Sequence, residues 1–214
     1  MAAKKFSMGE ALRFGWRTLK SNLGFFIVLL LAVALINGVP DYIANLIHEE
    51  APTASFLISV GSWVLSIIVQ MGLVRIALRF CDNEKATLGD LFSCVGFFFK
   101  YLFASILYAL IVLVGLILLI VPGIIWGIKF MFYAYLIIDK GMGPIESLKR
   151  SSAITRGTKW DLFLFILLLF LINILGALCL IIGLFATAPT TMVAFAYVYR
   201  RLLGQAQGLP VSQA

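Results

Sequence analysis

The chain has 214 residues, 62% of them hydrophobic and only 13% charged, with a mean hydropathy of +1.05 and a net charge of +7. Soluble domains run about 45–50% apolar and about 25% charged, so this charge is too sparse to coat a water-facing surface. Intrinsic disorder, which needs low hydrophobicity and high charge, is excluded as well.

A membrane helix needs about 20 predominantly apolar residues. Six segments meet this in outline, at 23–39, 55–78, 97–121, 123–139, 160–183 and 185–200. Lys and Arg in short connections stay on the cytoplasmic side, which tests that count independently. The N-terminal segment carries Lys4, Lys5, Arg13, Arg17 and Lys20, and the first loop, 40–54, carries only acids, Asp41, Glu49 and Glu50. The second connection and its flanks hold Arg75, Arg79, Lys85 and Lys100, whereas the Pro122-Gly123 turn holds no basic residue. Lys140, Lys149, Arg150, Arg156 and Lys159 crowd the fourth connection, none sits near Gly183, and Arg200 and Arg201 follow the last segment. The tally of 5, 0, 4, 0, 5, 0 and 2 covers 16 of the 17 basic residues and leaves Lys129 alone inside a span. It predicts an even number of crossings with both termini cytoplasmic. The positive charge then faces anionic lipid headgroups, at about 1 kcal/mol per basic residue near the surface, and nucleic acid is not an expected partner. Ala32-Val33-Ala34 imitates a signal-peptide cleavage site, but the 22 residues before the apolar run are too long for an n-region. An uncleaved first span is expected.

The connections carry a repeated helix-start signal. Ser7-Met8-Gly9-Glu10 is a capping box, in which a side-chain oxygen and an acid three residues on satisfy two otherwise unpaired donors. Thr87-Leu88-Gly89-Asp90 repeats it, and so does Gly143-Pro144-Ile145-Glu146, with proline at N1. Gly157 supplies a stop for the third helix, and Thr158 and Asp161 look like the cap pair of the next span. In the first helix Met8, Leu12, Trp16 and Leu19 fall on one face, and Glu10, Arg13, Arg17 and Lys20 on the other. Such a helix lies in the headgroup plane. The predicted fold is therefore all-α: a polytopic membrane protein of six transmembrane helices in three hairpins, each preceded by a short interfacial amphipathic helix. The pseudo-repeats are about 7–80, 87–140 and 143–201, followed by a flexible tail at 202–214. A pseudo-threefold axis along the membrane normal is the hypothesis this raises.

Candidate functional residues follow from what is costly in lipid. An ionisable group in a span marks a functional site by default, and Lys129 is the one present; it either snorkels to the outer headgroups or meets an anionic group in a polar cavity. Trp126 and Tyr133 stand within cation–π reach of it. Ser55, Ser59, Ser62, Ser66 and Gln70 form one polar stripe along the second span, as helix packing requires or as a water-lined groove would. Asn173, with Gly176, Thr187, Thr190 and Thr191, extends the inventory of small polar positions, and Pro189 reads as a helix-start proline. Arg13, Trp16, Arg17, Lys20, Lys149 and Arg150 are the candidate lipid-headgroup contacts. Cys81, Cys94 and Cys179 show no metal spacing. No Asp, Glu or His lies in the apolar interior of a span, and the one histidine, His48, is in the acidic loop. Metal hydrolysis, a carboxylate proton relay and a phosphate loop are thus unsupported. A Ser–Lys dyad through Lys129 is chemically possible but ranks last, and no cofactor is expected.

The stretch Val121-Pro122-Gly123-Ile124, then 139–148 from Asp139 to Leu148, then Ser151, Thr155, Gly157 and Trp160 resembles the bacterial glycerophosphoryl diester phosphodiesterase membrane-domain family. The resemblance is strongest over about 110–200. It implies a six-span helical module in the cytoplasmic membrane of a bacterium, with a basic residue after Pro-Gly-Ile like Lys129. Where relatives hydrolyse a diester, a fused soluble barrel would carry the chemistry, and this chain has no room for one. The expected function is a non-enzymatic envelope scaffold or accessory module that touches anionic lipid, with another envelope protein as a further candidate partner. The alternative is a pathway for a small solute or lipid along the Ser55–Gln70 stripe, with Lys129 as anion contact.

Overall fold

The computed structural model describes residues 6–178 and 182–207. All regular structure there is helical: α1 (Met8–Ser21), α2 (Leu23–Leu46), α3 (Pro52–Cys81), α4 (Phe98–Leu118), α5 (Ile120–Phe130), α6 (Tyr133–Lys140), α7 (Pro144–Ile154), α8 (Lys159–Leu178) and α9 (Ile182–Ala206), with 3-10 turns at Leu88–Leu91 and Val95–Phe97. Among the described residues five stretches are long and apolar enough to cross a bilayer: Leu23–Leu46, Pro52–Cys81, Leu88–Leu118, Ile120–Lys140 and Lys159–Leu178. The sixth predicted span falls on α9, which is not one of the five.

Helices pack in consecutive pairs, α2 on α3, α4 on α5 and α8 on α9. Two of the pairs meet at glycines near their turns. A Cβ on Gly115 would come within 2.8 Å of the Gly123 Cα, and one on Gly183 within 2.7 Å of the Gly176 Cα. Small residues let backbones approach this closely where lipid supplies no hydrophobic drive between helices.

The buried side chains cluster toward one end of the pairs: Val69 to Cys81 on α3, all of Ala134–Ile138 on α6, and Val193 to Leu203 on α9. The remainder of α2, α4 and α8 exposes Leu31, Leu35, Leu113, Ile117, Phe170 and Leu175. An apolar surface this extensive on a folded chain marks contact with something other than water.

The three capping signals all start a helical turn. Ser7 Oγ accepts from the Glu10 amide at 3.4 Å, Asp90 Oδ2 from the Thr87 amide at 2.7 Å, and Glu146 Oε2 from the Gly143 amide at 3.4 Å. The middle one opens only the 3-10 turn at Leu88–Leu91 rather than an amphipathic helix. That turn is pressed against α3, so that a Cβ on Gly72 would strike the Leu91 backbone. Gly157 takes a left-handed φ of 82° after α7, as a stop requires.

Three further differences have local causes. The fourth predicted span, 123–139, starts earlier and is split into α5 and α6 by a break at Met131–Phe132. Pro189 lies inside α9, which begins at Ile182, and is therefore not a helix-start proline. There the Thr190 hydroxyl donates to the Ala186 carbonyl at 2.7 Å and that of Thr191 to Ala188 at 3.0 Å. Residues 202–206 of the predicted tail continue α9, with Leu202 and Leu203 buried; 208–214 and Cys179 lie outside the described residues.

Candidate functional site

α1 docks along α9 from Thr190 to Arg201 through a face whose closest approach is made by a glycine. Ala11, Gly15 and Leu19 are buried, and a Cβ on Gly15 would collide with the Thr190 carbonyl oxygen. Phe14 stacks on Tyr197 with centroids 4.9 Å apart, and Phe6 meets Phe165 edge-on. Arg201 donates to the Tyr197 hydroxyl at 2.8 Å and reaches Glu10 at 4.0 Å. This docking fixes which way the opposite face points. Arg13, Trp16, Arg17 and Lys20 all lie outward, Trp16 being 46% exposed, with the Lys20 ammonium 5.2 Å from its ring. Trp16 therefore sits between the docked face and the basic face, not in the seam with Leu19. On α7, Lys149 is exposed and Arg150 half-buried.

The Ser55–Gln70 stripe is divided. Ser55 and Ser62 are buried, donating respectively to the Ala44 carbonyl at 2.7 Å and to Asp41 Oδ1 at 2.5 Å, so they face α2. Ser59 is exposed and donates to its own helix at Ser55; Ser66 is half-buried and Gln70 exposed. His48 Nδ1 lies 3.4 Å from the Ser55 hydroxyl. Asn173 joins α8 to α9, its amide donating to the Leu169 carbonyl at 2.9 Å and to the Thr191 hydroxyl at 3.3 Å.

Lys129 belongs to a different neighbourhood. Its ammonium stands 4.8 Å from the Phe130 ring, the aromatic partner observed there, rather than over Trp126 or Tyr133. Its carbonyl is the more informative atom. The α5–α6 break frees backbone groups, and α7 satisfies them: Ser151 and Thr155 each donate to the Lys129 carbonyl at 3.1 Å, and the Phe132 amide donates to Ser151 Oγ at 3.1 Å. Ser147, Ser151, Thr155 and Thr158 are all buried. Irregular backbone among apolar helices is tolerated where it is buried and paired in this way.

The strongest electrostatic feature was not legible as a site. Arg200 on α9 donates from Nη1 to Asp139 Oδ2 at 2.7 Å and from Nη2 to Asp82 Oδ2 at 2.6 Å. The Tyr199 hydroxyl adds a bond to Asp139 Oδ2 at 3.0 Å, and Lys140 lies 3.4 Å away. One guanidinium thus ties the ends of α3, α6 and α9. The clue in the sequence was a lone aspartate at the end of each of two spans, at 82 and 139, with basic residues at the end of a third. Cys81 and Cys94, close by in sequence, are buried. Among the described residues no group of three or more His, Cys, Asp or Glu side chains could hold a metal ion.

The chain is 21% identical over 226 residues to the uncharacterized protein Rv2560 of Mycobacterium tuberculosis, an alignment covering 93% of this chain and 69% of that one. The uncharacterized protein Mb2590 of Mycobacterium bovis is 22% identical over the same shares. No solved structure matches. Neither these descriptions nor that of the matching family names a glycerophosphoryl diester phosphodiesterase membrane domain. Residues 85–207, from just before the 3-10 turn at Leu88 through α9, match the domain of unknown function DUF7847. This stretch holds the braced helix break, Asp139 and Arg200 and makes up more than half of the chain, which therefore belongs to the DUF7847 family.

Proposed function

We propose that the protein is a six-span, non-enzymatic module of the cytoplasmic membrane that serves as an envelope scaffold or accessory protein and holds anionic lipid at its cytoplasmic face. In this reading α2/α3, α4/α5–α6 and α8/α9 are three transmembrane hairpins, α9 being the sixth span, and both termini are cytoplasmic. The pairwise packing of the helices and the alternation of basic residues between connections support it.

The observation that carries the lipid contact is the docking of α1. With its Ala11–Gly15–Leu19 face locked on the core, the helix cannot turn Arg13, Arg17 and Lys20 away from the surface. Trp16 beside them suits the headgroup level, where amphipathic rings concentrate. Reconstitution of a chain retaining Trp16 as its one tryptophan, with Trp63, Trp126 and Trp160 changed to Phe, tests this. Brominated phosphatidylglycerol is expected to quench Trp16 more than brominated phosphatidylcholine does, with the preference fading at high salt. Equal quenching by both lipids counts against the reading. For topology, reporter tags in 40–54 and in 140–158 are expected on opposite sides of the membrane.

The transport alternative draws less support, because the Ser55 and Ser62 hydroxyls are spent on α2 and the Lys129 contacts run to Phe130 and α7.

A further inference from the structure

We infer that the recess where α1 ends, α2 begins and the turn after α3 passes is a binding site for the phosphate of an anionic glycerophospholipid. The inference rests on the lipid-contact reading above and gives it a defined location. The recess has a volume of about 570 Å³ and is lined by Arg17 and Ser21 of α1, Asn22 at the junction, Phe25 of α2, and Phe80 and Lys85 from the other side. That volume falls within the range of small-molecule sites, about 300–1,000 Å³.

The cations lining it are not neutralised as those near the ends of α3 and α9 are. Arg79, Arg200 and Arg201 each meet a carboxylate. Arg17 and Lys85 reach the recess from different elements, and among the described residues neither has a carboxylate partner. Glu84, the acid on the same rim, lies 3.8 Å from Arg79 Nε. Two cations converging on one opening repel each other unless an anion lies between them, and a phosphate accepts hydrogen bonds from both at once. The Asn22 amide nitrogen donates back to the Thr18 carbonyl at 3.0 Å, so α2 starts without a side-chain cap beside the recess, which adds a little positive potential.

The surface continuing from the recess selects a lipid over a soluble phosphate. Val28 stands exposed on α2 one turn beyond Phe25, and Leu35 stands exposed further along the same flank. A headgroup seated between Arg17 and Lys85 would lay its acyl chains along that apolar face.

The test uses the full chain in neutral detergent, titrated with phosphatidylglycerol and followed by native mass spectrometry. One saturable phosphatidylglycerol per chain is expected, with phosphatidylcholine failing to compete. Arg17→Gln and Lys85→Gln, both surface changes, should each weaken that site about tenfold, as loss of one charge-assisted contact implies. Lys100→Gln, on α4 and outside the recess, should leave it unchanged. Glycerol 3-phosphate should compete only at far higher concentration than the lipid; competition at the same concentration would overturn the lipid assignment. Unaltered binding in both Arg17→Gln and Lys85→Gln would overturn the recess while leaving any Trp16 preference for anionic lipid standing. Loss of that preference as well would remove both readings.

Discussion

Arg200 Nη1 lies 2.7 Å from Asp139 Oδ2, and these two residues, 61 positions apart, are both largely screened from solvent. The Asp139 side chain is 7% exposed, whereas the second carboxylate on the same guanidinium, Asp82, is 40% exposed. The two acids should therefore differ sharply in what they contribute.

Removing one partner of a buried ion pair strands the other, at a cost of about 3–5 kcal/mol. Because Arg200 keeps Asp82 as a carboxylate partner, Asp139→Asn should cost less than that, about 1–3 kcal/mol, and Asp82→Asn about 1 kcal/mol or less, as for exposed pairs. Replacing Asp139 and Arg200 together with Leu and Met should recover much of the loss. Thermal unfolding in one detergent measures all three, and equal effects at Asp82 and Asp139 would contradict the burial asymmetry.

Gly15 and Gly9 offer a matched pair on α1. Gly15→Ala puts a methyl group into the Thr190 backbone, an overpacking cost of about 1–3 kcal/mol. Among the described residues a Cβ on Gly9 meets only Ser7 Oγ, at 4.0 Å, so Gly9→Ala should be neutral or slightly stabilising. Amide exchange across Met8–Ser21 should accelerate in the first variant and not in the second.

The hydroxyl brace at the α5–α6 break predicts a non-additive pair. Ser151→Ala leaves the buried Phe132 amide without its acceptor, about 1–3 kcal/mol. Thr155→Val alone should cost less, because the Lys129 carbonyl keeps Ser151 as a donor. With both changed that carbonyl loses both hydroxyls, and the double variant should unfold more easily than the two single losses add to.

Lys129→Leu should alter unfolding by about 1 kcal/mol or less, since among the described residues its ammonium meets the face of Phe130. Cysteines at 55 and 62 should resist water-soluble thiol reagents, their positions being sealed against α2. Reaction at both would revive a hydrated path along the stripe.

Much of the architecture could be read in one dimension because lipid imposes one-dimensional rules. Apolar run length located the candidate spans at α2, α3, α4, α5–α6 and α8, and local capping chemistry at Ser7, Thr87 and Gly143 placed the helical turns correctly. Both signals act between residues close along the chain, so no contact map is needed to see them. The faces were harder. Trp16 and Leu19 look alike on a helical wheel, yet Gly15 against Thr190 sets which flank is covered, and that depends on a helix 175 positions away. The same holds for the Asp139–Arg200 pair, for the hydroxyls of α7 under the Lys129 carbonyl, and for the recess between Arg17 and Lys85. Hydrophobic period and charge alternation say which residues shun water and on which side they stop. Which polar groups meet is set by close approach of segments remote in sequence, and that appears only once the helices are packed.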